Sequence, residues 1–146
     1  MMARIRQHMA KEDKGFTLIE LLVVMIIIGI LAAIAIPIFL SQRKKAEDSA
    51  AKADVSTLGK EVATYFVDGL LMPAVAVTGT APTQRYTVNG VDVGKVSSNV
   101  TLSAVSPATA DSTNWCVSVT NPKGDKTVAG AKYSAAGGLE VGDTCP

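Results

Sequence analysis

The sequence predicts an α+β protein: one long N-terminal helix, membrane-spanning in its first half and amphipathic in its second, packs on a small antiparallel β-sheet head. Three observations predict this. Residues 16–40 carry one charge, Glu20, and residues 21–40 carry none. Ala51, Val55, Leu58, Val62 and Tyr65 then recur at spacings of 4, 3, 4 and 3, an apolar stripe on a helical period. Beyond residue 85, short β-branched runs alternate with turn residues. The chain of 146 residues has room for one ordinary domain with one modest core. All nine isoleucines lie between Ile5 and Ile38, whereas residues 72–146 contain none and carry 17 Ser or Thr, so lipid and water are implied as two separate solvents.

A helix of about 20 apolar residues crosses a bilayer, so residues 16–40 are long enough to do so. The plain alternative is a secretory signal peptide, with Arg4, Arg6, Lys11 and Lys14 ahead of the run and Ala33-Ile34-Ala35 as a small-x-small cleavage site. Against it, the run exceeds the usual h-region of roughly 7–15 residues and has a carboxylate near its start. The positive-inside rule returns a near tie, because Arg43, Lys44, Lys45 and Lys52 follow the run. Cys116 and Cys145 are the only cysteines. An even pair in a small Ser/Thr-rich region beyond a membrane segment points to a disulfide outside the cytoplasm, with two reduced buried thiols as the alternative.

A carboxylate at the centre of a membrane helix costs about 2.5–3.5 kcal/mol on insertion scales, so Glu20 marks a partner or a pathway. The residues around it, Lys14-Gly15-Phe16-Thr17-Leu18-Ile19-Glu20, resemble the processing motif of type IV prepilins: a short basic leader ending in glycine, then phenylalanine, with glutamate at the fifth mature position. The resemblance implies a leader of residues 1–15, cut after Gly15 by a prepilin peptidase that also methylates the new amine on Phe16. It implies that Glu20 serves assembly. Gly29 and Pro37 stand where the family places a glycine and a proline, which implies a segment that is helical in the monomer and extends when subunits pack into a filament. Proline inside a helix removes one hydrogen bond, here to the carbonyl of Ala33, at a cost of about 3 kcal/mol or more. A simple kink in a membrane helix is the alternative.

The stripe from Ala51 to Tyr65, avoided by Lys44, Asp48, Lys52, Lys60 and Glu61, extends the helix through residues 41–69 to about Asp68, with Gly69 able to take the left-handed conformation that stops it. In the head, residues 70–146, the stretch 72–82 reads as a loop around Pro73, Gly79 and Pro82. Tyr86 to Val93 reads as a hairpin about Asn89-Gly90, a type I′ signal. Further strands are expected at residues 100–105, 115–119, 127–133 and 139–141, with Val88, Trp115, Val117 and Val119 on the buried face. A bond closing the roughly 30-residue loop from Cys116 to Cys145 would add about 3.6 kcal/mol by restricting the unfolded chain. In type IV pilins such a bond bounds an exposed variable region, here residues 116–145.

Several chemistries are disfavoured. Fourteen Lys and Arg against 13 Asp and Glu give a net charge of +1 and no overall footprint for nucleic acid, though a local patch could touch DNA nonspecifically. The only histidine is His8, so the rest of the chain has no imidazole for a triad or a zinc site. Residues 90–96 glance at a phosphate-binding loop but have three residues between the glycines and no hydroxyl after Lys95. Asp111, Asp125, Glu140 and Asp143 could gather around calcium, as in major pseudopilins, but match no calcium-loop spacing and read as surface charge. Asn99-Val100-Thr101 matches a glycosylation triplet of little weight outside the right secretory pathway.

The expectation is therefore a non-enzymatic structural subunit without cofactor or metal. The resemblance implies a major pilin: a single-pass precursor in the cytoplasmic membrane, handed by an assembly platform and motor complex into an extracellular homopolymer for adhesion, motility or DNA uptake, with a host surface or DNA as head ligand. A pseudopilin of a type II secretion or competence system is the nearest alternative. A single-pass membrane protein with an extracytoplasmic binding or enzymatic head is the second.

Overall fold

The computed structural model describes residues 15–145; the basic leader through Lys14, with Arg4, Arg6, His8 and Lys11, lies outside them. Two compact units divide between Phe39 and Leu40. The elements are one helix, α1 (Leu18–Tyr65), and seven strands: β1 (Val75–Thr78), β2 (Arg85–Val88), β3 (Val91–Lys95), β4 (Thr101–Val105), β5 (Cys116–Thr120), β6 (Ala131–Ser134) and β7 (Gly138–Val141). This is the expected α+β architecture of one long helix and antiparallel strands.

In the first unit, α1 is uninterrupted through Gly29 and Pro37. Its large apolar side chains from Leu18 to Phe39 are exposed, and the helix is long and apolar enough to cross a membrane.

In the second unit, Ala51, Val55, Leu58 and Val62 are fully buried, as their period predicts, and Tyr65 is half-buried. Each of the larger three contributes about 1.5–3 kcal/mol by leaving water. They pack in one cluster with Tyr86, Val88, Trp115, Val117 and Val119. The helix ends earlier than expected. Its last turn tightens as Val67 N–H bonds the Thr64 carbonyl at 3.1 Å and Asp68 N–H that of Tyr65 at 3.3 Å. Gly69 does not adopt the left-handed conformation. It is needed because the Tyr65 ring lies 2.5 Å from where a Cβ would stand.

The strands form two sheets rather than one, ordered β1-β2-β3 and β4-β5-β6-β7, with every pairing antiparallel. Asn89 and Gly90, at φ 50° and 81°, make the hairpin turn between β2 and β3, so the glycine-rich stretch is a hairpin arm. The expected loop 72–82 contains β1: the β-branched alternation Val75-Ala76-Val77-Thr78 pairs with β2. Residues 127–130, expected to open a strand, instead turn, with Gly130 N–H on the Thr127 carbonyl at 3.2 Å. The central strand β5 is buried from Cys116 to Val119. Its Ser118 hydroxyl fills the bulge in β4, accepting from Ala104 N–H at 3.1 Å and donating to the Ala104 carbonyl at 3.3 Å. Phe66, Trp115 and Tyr133 stack in series at ring separations of 6.3 and 6.0 Å.

Gly59 fixes how closely the helix approaches β6, since a Cβ there would run into the Tyr133 ring. Gly59→Ala should lower stability by about 1–3 kcal/mol, the usual cost of overpacking, despite alanine's better helix propensity. Urea unfolding of the detergent-solubilised chain measures this; a gain in stability would mean that Tyr133 moves aside freely.

Candidate processing and assembly site

Gly15 and Phe16 precede the helix in irregular, exposed backbone, and among the described residues no heavy atom beyond the chain neighbours lies within 4 Å of a Cβ built on Gly15. Thr17 and Glu20 then form a reciprocal cap. The Glu20 carboxylate accepts from Thr17 N–H at 2.8 Å and from the Thr17 hydroxyl at 2.6 Å, while Glu20 N–H donates to the Thr17 hydroxyl oxygen at 3.2 Å. This is a capping box, which satisfies otherwise unpartnered donors of the first turn and places an anion at the positive end of the helix. The T-x-x-E spacing of Thr17-Leu18-Ile19-Glu20 carried that signal. Glu20 thus has a local partner before any cation is supplied. Gly29 has open space around it and Pro37 lies inside continuous helix.

In the second unit, three carboxylates of α1 hold the strands. Asp48, one of the charges expected to avoid the apolar stripe, is only 5% exposed. It accepts from the N–H groups of Asp125 at 3.0 Å, Lys126 at 3.1 Å and Thr127 at 3.0 Å, and from the Thr127 hydroxyl at 2.8 Å. Gly124 leaves room for this, because a Cβ there would strike both Asp48 and Thr127. Glu47 accepts from the side-chain amides of Asn121 at 2.9 Å and Asn99 at 3.1 Å. Asp54, 7% exposed, accepts from the Tyr86 hydroxyl at 3.0 Å and from Ser97 N–H and hydroxyl at 2.9 and 2.7 Å. Sequence periodicity missed all three, because their donors lie dozens of residues away.

These contacts reset acidities. Burial pushes the Asp48 carboxyl up, but the donors of Thr127, Lys126 and Asp125 together outweigh it and leave it below the ordinary aspartate range. The amides of Asn121 and then Asn99 hold Glu47 below its ordinary value, with Arg43 and Lys123 adding to this by charge. Burial, then the charge and hydrogen bond of Asp54, push the Tyr86 hydroxyl far above its ordinary value.

Cys116 and Cys145 are joined in a disulfide with Cα atoms 5.8 Å apart, closing a loop that contains β6 and β7. Glu140 and Asp143 meet Lys132 Nζ at 3.2 and 2.9 Å, and Asp111 caps its own turn through Thr113 N–H at 2.8 Å. Among the described residues no three His, Cys, Asp or Glu side chains converge on one point. The Asn99 amide of the glycosylation triplet is engaged by Glu47.

Residues 11–36 match the family described as the prokaryotic N-terminal methylation motif. The chain carries the N-terminal motif of the pilin class. Its relatives divide between pilins and secretion-system proteins. It is 36% identical over 64 residues to the type II secretion system core protein G of Pseudomonas aeruginosa, covering 44% of this chain and 45% of that one. It is 47% identical over 58 residues to the type IV wide pilus major component PilA4 of Thermus thermophilus, covering 40% and 44%. It is 46% identical over 55 residues to the type IV major pilin protein PilA of Myxococcus xanthus, covering 38% and 25%. The match thus spans less than half the length of these curated relatives. No solved structure matches the chain.

Two predictions follow from the geometry. Folded-state acidities of Glu47 and Asp48 lie below their unfolded values, so their stabilisation is complete above the unfolded pKa values of about 3.9–4.3 and is lost as pH falls through the lower folded values. Urea midpoints of the wild type should therefore fall on acidification below about pH 4, and Asp48→Asn should be less stable at neutral pH with a shallower acid dependence; an unchanged acid slope would remove Asp48 from the account. Separately, Thr17→Val should speed amide exchange in the first turn of α1, consistent with loss of an N-cap worth about 1 kcal/mol, and leave exchange in β5 unchanged. Equal exchange in the first turn would show that the cap does not stabilise it.

Proposed function

We propose that the chain is the structural subunit of a type IV pilus, made as a membrane precursor, cut after Gly15, methylated on Phe16 and polymerised through the apolar part of α1. The observation that carries this reading is the methylation motif running directly into a helix whose large apolar side chains from Leu18 to Phe39 are left exposed by the described residues of their unit. Such a surface is stable in lipid or against further copies of itself. The work of the subunit is then structural rather than catalytic: α1 builds the filament core and the strands present the outer surface. Prepilin peptidase, the assembly platform with its motor, the membrane and other copies are its partners, and a host surface or DNA is the external ligand. Gly29 to Pro37 is the segment that extends on packing, because Pro37 leaves an acceptor unpaired and glycine costs about 1 kcal/mol relative to alanine in a helix.

The similarity to core protein G supports a second reading, a pseudopilin of a secretion machine. The disulfide-bounded segment favours the pilus. So does Lys132, which engages Glu140 and Asp143, two of the carboxylates a calcium site would need.

Glu20 acquires its assembly role through cleavage. The precursor has an amide at Phe16; the processed chain has an amine with a reference pKa of about 7.7–8.0, largely protonated at neutral pH. A neighbouring copy's amine, placed against Glu20 where water is excluded, would neutralise both charges, and stranding one member of such a buried pair costs about 3–5 kcal/mol. Intact mass of sheared surface material should give a chain starting at Phe16, without residues 1–15 and carrying one added methyl. Glu20→Ala precursor should still be cut yet fail to enter filaments. A mature chain starting at Ile36 would establish a signal peptide instead, and normal filaments from Glu20→Ala alone would make apolar packing sufficient.

A further inference from the structure

The Asp48 latch carries two lysines from late in the sequence to the start of the second unit's helix. Asp48 holds the backbone N–H of Lys126 at 3.1 Å, and Asn121, whose side-chain carbonyl accepts from Lys123 N–H at 3.0 Å, is held by Glu47 at 2.9 Å. Arg43, Lys44 and Lys45 lie within the turn before Glu47 and Asp48 on the same helix. All five cations are exposed, and among the described residues the ion pairs lie elsewhere, between Arg85 and Asp92 and from Lys132 to Glu140 and Asp143.

The neighbouring acids offset part of this charge, five cations standing against the three carboxylates Glu47, Asp48 and Asp125, and leave a positive surplus. Asp48 is buried and occupied by neutral donors, and Glu47 is engaged by Asn99 and Asn121 while it feels Arg43 and Lys123. Exposed Asp125 is the remaining carboxylate of this loop. Pro122 and Val128, both exposed, flank the loop lysines with apolar surface.

The depth of these groups matters. Leu40 ends the apolar run, and Arg43 and Lys45 follow it by about 4.5 and 7.5 Å of helix rise, while Glu47 and Asp48, which hold the loop of Lys123 and Lys126, follow by about 10.5 and 12 Å, so the loop lysines stand at the outer edge of the headgroups. The headgroup layer is about 5–7 Å deep on each side of the hydrocarbon. We propose that Arg43, Lys44, Lys45, Lys123 and Lys126 form a platform for anionic phospholipid headgroups on the leaflet from which α1 emerges. This rests on the membrane reading given above. A polyanion such as DNA would meet the same charges, but a lipid surface fits better: the cations begin where the apolar run stops, and Val128 adds an apolar contact that suits an interface.

The test uses the full chain reconstituted in phosphatidylcholine vesicles with and without a minority of phosphatidylglycerol, with flotation to score membrane association and native mass spectrometry to count retained lipids. Wild type should retain phosphatidylglycerol in preference to phosphatidylcholine. K123Q/K126Q should lower that preference about fivefold per cation removed, and adding R43Q/K44Q/K45Q should abolish it, with the disulfide and circular dichroism unchanged. Equal preference in wild type and the five-residue variant, both floating, would overturn the platform and leave the membrane reading intact. Loss of DNA retention by the variant with lipid preference unchanged would overturn it in favour of a nucleic-acid surface. Failure of the wild type to float at either composition would overturn the membrane reading, and the platform with it.

Discussion

The constraint on which everything else turns is that the apolar helix from Leu18 to Phe39 buries almost nothing within its own unit. Fully burying one large aliphatic side chain is worth about 1.5–3 kcal/mol, and this stretch is built mainly from them. The sum is tens of kcal/mol, well beyond the roughly 5–15 kcal/mol that separates folded from unfolded globular domains. Such a surface dictates where the protein can exist. Lipid satisfies such a surface for a monomer, and in the proposed filament other copies of the same helix would. The polar groups at its start are correspondingly few and mutually satisfied, with Thr17 and Glu20 closing on each other.

The second unit solves a different problem in water. Its core has few large side chains, and the buried set is mostly valine and alanine around Leu58, Tyr86 and Trp115. Directional bonds make up part of the difference. Glu47, Asp48 and Asp54 reach from one helix to the connections between β3 and β4 and between β5 and β6, so that two loops far apart in sequence depend on three carboxylates. Hydrogen bonds to charged groups are worth about 1.5–3 kcal/mol each, roughly twice a neutral bond. The disulfide adds a second restraint, tying Cys116 of the central strand to Cys145 near the end of the described chain. These devices also explain the acid sensitivity expected of this unit.

Much of this was legible before any coordinates. The apolar run, the stripe Ala51-Val55-Leu58-Val62, the Asn89-Gly90 turn and the pair of cysteines each rest on a local pattern or a simple count, and the fold follows them. What escaped was of two kinds. Strand β1 is four residues long between prolines, too short for alternation to outweigh the turn residues around it. The carboxylate latches were invisible because Asp48 is separated by 77 to 79 residues from the backbone groups that bury it; it stands three residues before Ala51, in phase with the stripe, but a carboxylate there has no readable partner until the connection between β5 and β6 is placed. The division of the strands into two sheets escaped for the same reason, since edge pairing is decided by long-range placement. The Thr17–Glu20 cap is a local pattern of T-x-x-E spacing, and it gives Glu20 a partner in the same turn in addition to any cation.

The central claim is that one apolar helix moves from lipid to a protein core. A photoreactive group placed at Ile30, in the middle of the apolar run, tests it most directly by reporting its neighbours in the membrane fraction and in sheared surface material. The account predicts crosslinks to lipid in the first and to other copies of the same helix in the second. Lipid crosslinks alone, with no chain recovered in sheared material, would contradict it and leave a protein that remains a single-pass membrane anchor.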